Sequence, residues 1–299
     1  MSRLGLRIGA ELPPVLAGHT AALGIAAAFF SAVVMASAGG AHAADWPLRG
    51  SLEPGYVRWD GWQFGLQAGY GNMNTDPGNS TSQPIAFILR NTTLENEFAP
   101  SEWTTLAKGS TNSGVYGAFL GYNMQWDNLV VGFDLGYKHP SNLDAGATDS
   151  ITRRVVTSDN IQHDVTIDAQ TTLKLVDYAT LRGRAGYAMG QFLPYAVVGA
   201  ALGRFNYSTT VSVSDFLTQL PLVPSPPGGP LGFAILTPSS ISTGKDNAYI
   251  GGVVAGLGAD WAITPGVFLR AEWEFIAFAS VNGARNNLNT ANFGIGLRF

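Results

Sequence analysis

Glu272 and Glu274 stand two residues apart, directly after Arg270, and Arg182 and Arg184 repeat the same spacing with the opposite charge. On a β-strand, residues two apart point to one face, so each pair would present its charges together. Paired carboxylates in that arrangement could carry general acid–base chemistry. A structural reading competes with it. Asp134 and Arg298 complete a set holding both signs, and inside a narrow, sheet-walled interior such groups need one another, because an unpaired buried charge costs several kcal/mol. Asp134, Arg182, Arg184, Arg270, Glu272, Glu274 and Arg298 are therefore read as one lumen charge network, with no catalytic residues. Counted from the nearest turns, Glu272 and Glu274 lie at about the heights of Arg184 and Arg182, which suggests Glu272–Arg184 and Glu274–Arg182 pairs.

Other candidates for chemistry are weaker. His139 and His163 are the histidines beyond the amino-terminal leader, and as two isolated residues in or beside the second long connection they read as exposed polar side chains, not ligands. Neither a zinc-protease H-E-x-x-H, a G-x-S-x-G elbow nor a phosphate-binding loop occurs. Gly256-Leu257-Gly258-Ala259-Asp260-Trp261 lacks the third glycine of a dinucleotide fingerprint. Asn79-Ser80-Thr81 and Asn91-Thr92-Thr93 match glycosylation sequons but read as loop chemistry only. No cysteine is present, which removes disulfide scaffolds and thiolate metal sites. The 17 basic and 21 acidic residues give no basic footprint for nucleic acid. Neither a metal nor a cofactor is expected.

The elements that would position these charges begin after an export signal. Arg3 and Arg7 precede an apolar run from Ala21 to Met35, which is followed by small residues ending in Ala41-His42-Ala43. Cleavage between Ala43 and Ala44 follows from that pattern. The apolar run is shorter than the roughly 20 residues a helix needs to cross a bilayer, and no longer run follows. Charged residues are only 13% of the chain and glycines number 37, which no ordinary soluble surface shows.

Eight segments alternate large apolar residues with small or polar ones. They are Gly61 to Asn72, Ser113 to Met124, Asn128 to Lys138, Asp177 to Ala188, Pro194 to Tyr207, Ala248 to Trp261, Val267 to Ala277 and Asn289 to Phe299. The seventh is the clearest: Val267, Leu269, Ala271, Trp273, Phe275 and Ala277 share one face, and Arg270, Glu272 and Glu274 the other. Period two and the glycine density rule out helix. Trp126-Asp127-Asn128, Gly190-Gln191-Phe192 and Thr264-Pro265-Gly266 read as tight turns. Long connections alternate with them, about Met73 to Asn112, His139 to Leu175 and Ser208 to Asn247, with a shorter one at Ser280 to Leu288. Short turns on one side and long loops on the other are the arrangement of a transmembrane β-barrel. Ile151 to Thr157, Val165 to Leu175 and Thr209 to Val213 look like strand arms projecting beyond the lipid, and Pro221 to Pro230 like an exposed loop.

The expectation is an all-β, transmembrane, antiparallel up-and-down β-barrel of eight strands, or ten if the arms count separately. Residues 1–43 form the cleaved signal, 44–60 a periplasmic segment and 61–299 the barrel. Apolar loop residues, including Ile85, Phe87, Ile88, Leu89, Phe216, Leu217, Leu220, Leu222, Leu231 and Phe233, would pack on one another, rest on lipopolysaccharide or meet a host or cell-surface partner.

The opening Trp62-Gln63-Phe64-Gly65-Leu66-Gln67-Ala68-Gly69-Tyr70-Gly71, the later Arg270-Ala271-Glu272-Trp273-Glu274 and the closing Asn289-Thr290-Ala291-Asn292-Phe293-Gly294-Ile295-Gly296-Leu297-Arg298-Phe299 resemble the small OmpA-type outer-membrane proteins of alphaproteobacteria. The resemblance implies a porin-like surface antigen with an eight-stranded barrel in the outer membrane of a Gram-negative bacterium. It also casts the terminal Phe299 as the signal read by the barrel-assembly machinery. A non-enzymatic role in envelope structure and surface interaction follows. The alternatives are a narrow porin, a lipid-modifying outer-membrane enzyme with a His, Ser and carboxylate at its rim, and a soluble exported barrel, which the apolar face of Val267 to Ala277 opposes.

Overall fold

The computed structural model describes residues 57–104, 106–219, 233–235 and 238–299. The cleavage site at Ala43 and Ala44, the Pro221 to Pro230 loop, Leu220, Leu222 and Leu231 lie outside these. Ten strands form one antiparallel sheet: β1 Gly61–Asp76, β2 Gly109–Trp126, β3 Leu129–Pro140, β4 Leu143–Val156, β5 Ile161–Tyr187, β6 Phe192–Gln219, β7 Phe233–Ile235, β8 Ser239–Thr264, β9 Val267–Val281 and β10 Ala284–Arg298. Pairing runs β5–β3–β2–β1–β10–β9–β8–β6, and β6 then pairs with β5, so the sheet is ring-like. β4 pairs with β5 and β7 with β6, outside that circuit.

The arms are longer than the alternation alone implies. β5 has 27 residues, β6 28 and β8 26, whereas about 9–11 cross a bilayer. β4 carries on where β3 stops at Pro140, a residue that cannot donate to the ladder. Register shifts between Leu175 and Asp177 on β5 and between Phe205 and Tyr207 on β6 bend the strands where the arms leave the ring.

At one end, turns at Asp127 (φ 48°) and Gly190 (φ 63°) fall where turn chemistry places them. The other end differs from expectation at Ser280 to Leu288. β9 and β10 continue through this stretch and are joined by Asn282 (φ 47°) and Gly283 (φ 81°) alone. Two successive positive φ values make a hairpin turn that suits strand twist, and Asn-Gly is the pair best able to adopt it. The connection after β1 is also not simple loop. It holds α1 Ser82–Ile88, α2 Thr93–Phe98 and a 3-10 turn at Pro100–Glu102. The Thr92 side chain caps α2 by accepting from Glu95 N at 3.2 Å.

Outward residues form a band. Leu66, Leu181, Val198, Leu257, Leu269, Phe293 and Ile295 are exposed, Phe293 at 70%. Trp62, Trp126, Tyr187, Phe192 and Trp261 border the band near the tight turns, and Tyr70, Tyr116, Tyr137 and Tyr249 border it near the arms. Apolar side chains between two aromatic girdles suit hydrocarbon, not water. Inside, small residues leave room for large ones: a Cβ on Gly296 would lie 2.2 Å from the Phe268 ring. The strand orientation has a direct test. Leu269→Arg and Trp273→Arg should each lower the stability of the membrane-inserted protein by about 2–4 kcal/mol, while Ser150→Arg on an exposed arm should insert as the parent does. Folded yield in bilayers measures it, and equal yields would reverse the assignment of faces.

Candidate functional site

The inward faces of β3, β5, β8 and β9 bring a set of ionised side chains to mid-lumen. Asp134 and Lys138 come from β3, Arg182 and Arg184 from β5, Asp260 from β8, and Arg270, Glu272 and Glu274 from β9. All are buried, Glu274 completely. Arg182 Nη1 donates to Glu272 Oε1 at 2.6 Å and also to Glu274. Lys138 Nζ binds the other oxygen of Glu274. Arg184 Nη2 donates to Asp260 Oδ2 at 2.8 Å, and Arg270 forks onto both oxygens of Asp260 at 2.9 and 3.0 Å. Asp134 lies between these clusters. Its Oδ2 is 3.5–3.7 Å from Arg182, Arg184 and Arg270, and its Oδ1 accepts from Gln63 Nε2 at 2.8 Å.

Neutral groups add to the shell, although Arg182 Nε, Arg184 Nε and Arg270 Nη1 have no hydrogen-bond partner among the described residues. The Tyr195 hydroxyl donates to Glu272 at 2.9 Å, and Thr290 and Asn292 donate to Glu274 at 3.1 and 3.3 Å. The guanidinium of Arg184 lies 3.8 Å from the Tyr195 ring centre, and that of Arg270 lies 3.9 Å from the Phe119 ring centre. Each acid therefore has a base at hand, which is the condition for keeping such charges out of water.

Apolar clusters lie on both sides of this layer. Towards the tight turns, Trp59, Phe119, Val130, Leu193, Tyr195, Ala262 and Phe268 pack together. Trp59, in the stretch read as 44–60, is buried in this cluster. Towards the arms, Met73, Leu143, Leu173, Tyr178, Phe205, Ile276 and Phe278 form a second cluster. Beyond it Ile85, Leu89, Leu94 and Leu106 pack on Val165, Ile167, Val211 and Val213 of the arms. Ile85 and Leu89 are thus buried by the arms, whereas Phe87 is exposed.

Placement departs from the sequence reading in three ways. Arg298 stays apart from the other charges: its guanidinium donates to the Pro265 carbonyl at 2.6 Å and lies over the Trp59 ring at 4.7 Å. Glu272 meets Arg182 directly, and Arg184 meets Asp260. Counting residues from the turns ignores strand tilt, which offsets the heights of walls several strands apart. Lys138 and Asp260 were missed, although alternation puts both on inward faces; their positions near the ends of the predicted segments hid them. His163 Nδ1 lies 2.6 Å from Asp215 on the arms, and His139 packs on Tyr116. Among the described residues no group of His, Asp and Glu could hold a metal ion.

The comparisons with known proteins fit this geometry. Residues 25–299 match the family described as "Outer membrane protein beta-barrel domain", and the chain belongs to that family. It is a protein of the outer membrane of a Gram-negative bacterium. No curated protein matches it. Solved structures similar to it include Ail, the attachment invasion locus protein of Yersinia pestis, at 12% identity and a TM-score of 0.32, covering 80% of this chain and 99% of that one. OprG from Pseudomonas aeruginosa matches at 12% identity and a TM-score of 0.37, covering 80% and 97%. Neisserial surface protein A matches at 14% and 0.31, covering 79% and 97%.

Coupling across the lumen can be measured. Arg182→Gln or Glu272→Gln alone should destabilise by about 3–5 kcal/mol by leaving the buried network one charge out of balance. The double change should cost clearly less than the sum, and Arg184→Gln with Asp260→Asn should behave likewise. Arg184→Gln with Glu272→Gln should couple more weakly. Unfolding titrations in detergent check this, and additivity within about 0.5 kcal/mol for the direct pairs would refute the pairing.

Proposed function

We propose that eight strands, β1, β2, β3, β5, β6, β8, β9 and β10, close into a barrel that crosses the outer membrane with its lumen plugged, and that the protein serves envelope structure and surface contact. The tight turns then face the periplasm and the arms with their helical cap face outward. The observation that carries this reading is the buried ion network with an apolar cluster on each side. A barrel of this strand number has an interior that side chains can fill, while open aqueous channels belong to 16–18 strands. The terminal sequence supports a place among the small OmpA-type surface antigens, and the apolar packing of the cap on the arms supports a preformed outward surface rather than a loose loop. We read the protein as non-enzymatic.

The refolded full chain in planar bilayers should give no steady conductance steps, while its gel migration shifts on heating as a closed barrel's does. A stable ion current from the heat-modifiable form would make the narrow porin the better reading.

Phe299 is exposed at the end of the chain, its N–H bonded to the Trp62 carbonyl at 3.0 Å and its ring stacked on Phe64. As an assembly signal it should matter before folding is complete. Deleting it should lower the amount of folded protein in outer-membrane fractions and leave the unfolding midpoint of purified barrel close to the parent's. An unchanged yield would remove that role.

A further inference from the structure

Just beyond Tyr70 and Tyr116 the outward face of β10, β1 and β2 changes from apolar to amide-rich. The strand register lines up Asn289, Asn72 and Asn112 in one cross-strand row, and Asn287, Asn74 and Ser110 in the next. A third level sets Arg285 opposite Asp76, whose carboxylate Lys108 Nζ reaches at 2.9 Å. These side chains are exposed or half-exposed, and the residues between them, Met73, Thr75, Asn286 and Leu288, fill the interior. The outward rows therefore contribute nothing to the core.

The amides are held in order. Asn72 Nδ2 donates to Ser110 Oγ at 2.9 Å and to Asn112 Oδ1 at 2.6 Å, and Asn74 Nδ2 donates to Asn72 Oδ1 at 2.8 Å. The hydrogen bond from Lys108, then that from the Gly78 N–H, and least the attraction to Arg285 keep Asp76 below the usual carboxylate range. Two cations about one anion leave a positive excess at this level.

Asn72 to Asp76 follow Tyr70 by two to six residues, which is about 7–20 Å of strand at ~3.3 Å per residue. With strands tilted by about 45°, that is about 5–14 Å along the membrane normal, from the headgroup layer outward. We infer that this face binds the phosphorylated glucosamine headgroup of a lipopolysaccharide molecule, with Lys108 and Arg285 on a phosphate and the asparagine rows on the sugar's hydroxyl and amide groups. Ionised donors suit phosphate, and amides that both donate and accept suit a sugar. A phospholipid would use the cations and leave the rows idle. A protein partner would want an aromatic or apolar centre, which the rows lack.

The inference rests on the reading that the arms face outward, and the two can fail separately. The chain has no cysteine, so Ser110→Cys gives a single label site. A membrane-impermeant maleimide should modify it on intact cells; labelling only after the envelope is opened would overturn the orientation, and the inference with it. Binding is read by native mass spectrometry of the refolded full chain with diphosphoryl lipid A. Lys108→Gln with Arg285→Gln, and separately Asn74→Ala with Asn287→Ala, should each weaken lipid A binding at least fivefold. Lys174→Gln, an exposed lysine on the arm, should leave it unchanged, and all variants should keep heat-modifiable migration. Inorganic phosphate should not displace the lipid. Unaltered lipid A binding in the folded double variants would overturn the inference, as would full displacement by phosphate, equal binding of phosphatidylglycerol, or an effect on self-association alone.

Discussion

Hydrocarbon leaves a backbone amide no water to bond with, so a sheet that crosses a membrane must satisfy every strand from within and cannot keep an edge. The rest of this structure follows from that. Pairing returns from β6 to β5, and a ring of few strands encloses a narrow interior. Narrowness decides the residues: large apolar side chains must point out, and inward positions alternate between glycine and groups that meet across the lumen. Phe268 occupies space that Gly296 vacates, and Tyr195 does the same above Gly258. The arms escape the constraint. Past the upper aromatics, β4, β5, β6 and β8 meet water outside and the helical cap inside, so their outward faces turn to hydroxyls and charges, as in the Ser150–Asp168 and Thr152–Thr166 contacts.

Much of this was legible because one period governs the chain. Each of the eight alternating segments lies within a strand or overlaps one closely, and the tight turns at Asp127, Gly190 and Pro265-Gly266 sit where Gly, Pro, Asp and Asn placed them. The arms from Ile151 and Val165 were visible too. Alternation assigns a face, though, and says little about height. Arg184 was matched to Glu272 on the count from a turn, yet tilt brings it to Asp260. Arg298, inward by alternation, is too near its strand end to reach the network and settles on Trp59. α1 and α2 were illegible for another reason. They are too short to be stable alone, and their burial is supplied by Val165, Ile167, Val211 and Val213, far away in sequence. At Ser280 to Leu288, polar residues suggested a loop where Asn282 and Gly283 suffice.

The cap links the two regimes. Thr81 bonds Thr104 at 2.9 Å across its base, and Glu97 accepts from Ser158 N at 3.0 Å on the tip of the β4–β5 hairpin. Together with Ile85, Leu89 and Leu94 these contacts seat the connection between β1 and β2 inside the arms. The lumen is consequently lined in sequence by an apolar cluster, a charged layer, a second apolar cluster and the cap. In the plugged barrel proposed above, water entering from either end would meet packed apolar side chains before an ionised group, which would leave the charges to partner one another.

An apolar layer of the same volume would stabilise the lumen at least as well as ion pairs do, since desolvating charges offsets most of their attraction. What the charges add is discrimination. Slipping one strand by a single residue reverses its faces and is forbidden by the apolar band. Slipping it by two residues keeps every face correct, so hydrophobic pattern cannot prevent it. In this lumen such a slip of β5 would bring one of Arg182 and Arg184 to the other's height and carry the second out of the layer, leaving Glu272 or Asp260 short of a base. Lys138 on Glu274 and Arg270 on Asp260 would stay in place, so the penalty is one displaced guanidinium and a layer left one base short. The network thus rejects the one class of misregister that alternation tolerates, and it does so across the walls, where no turn can reach.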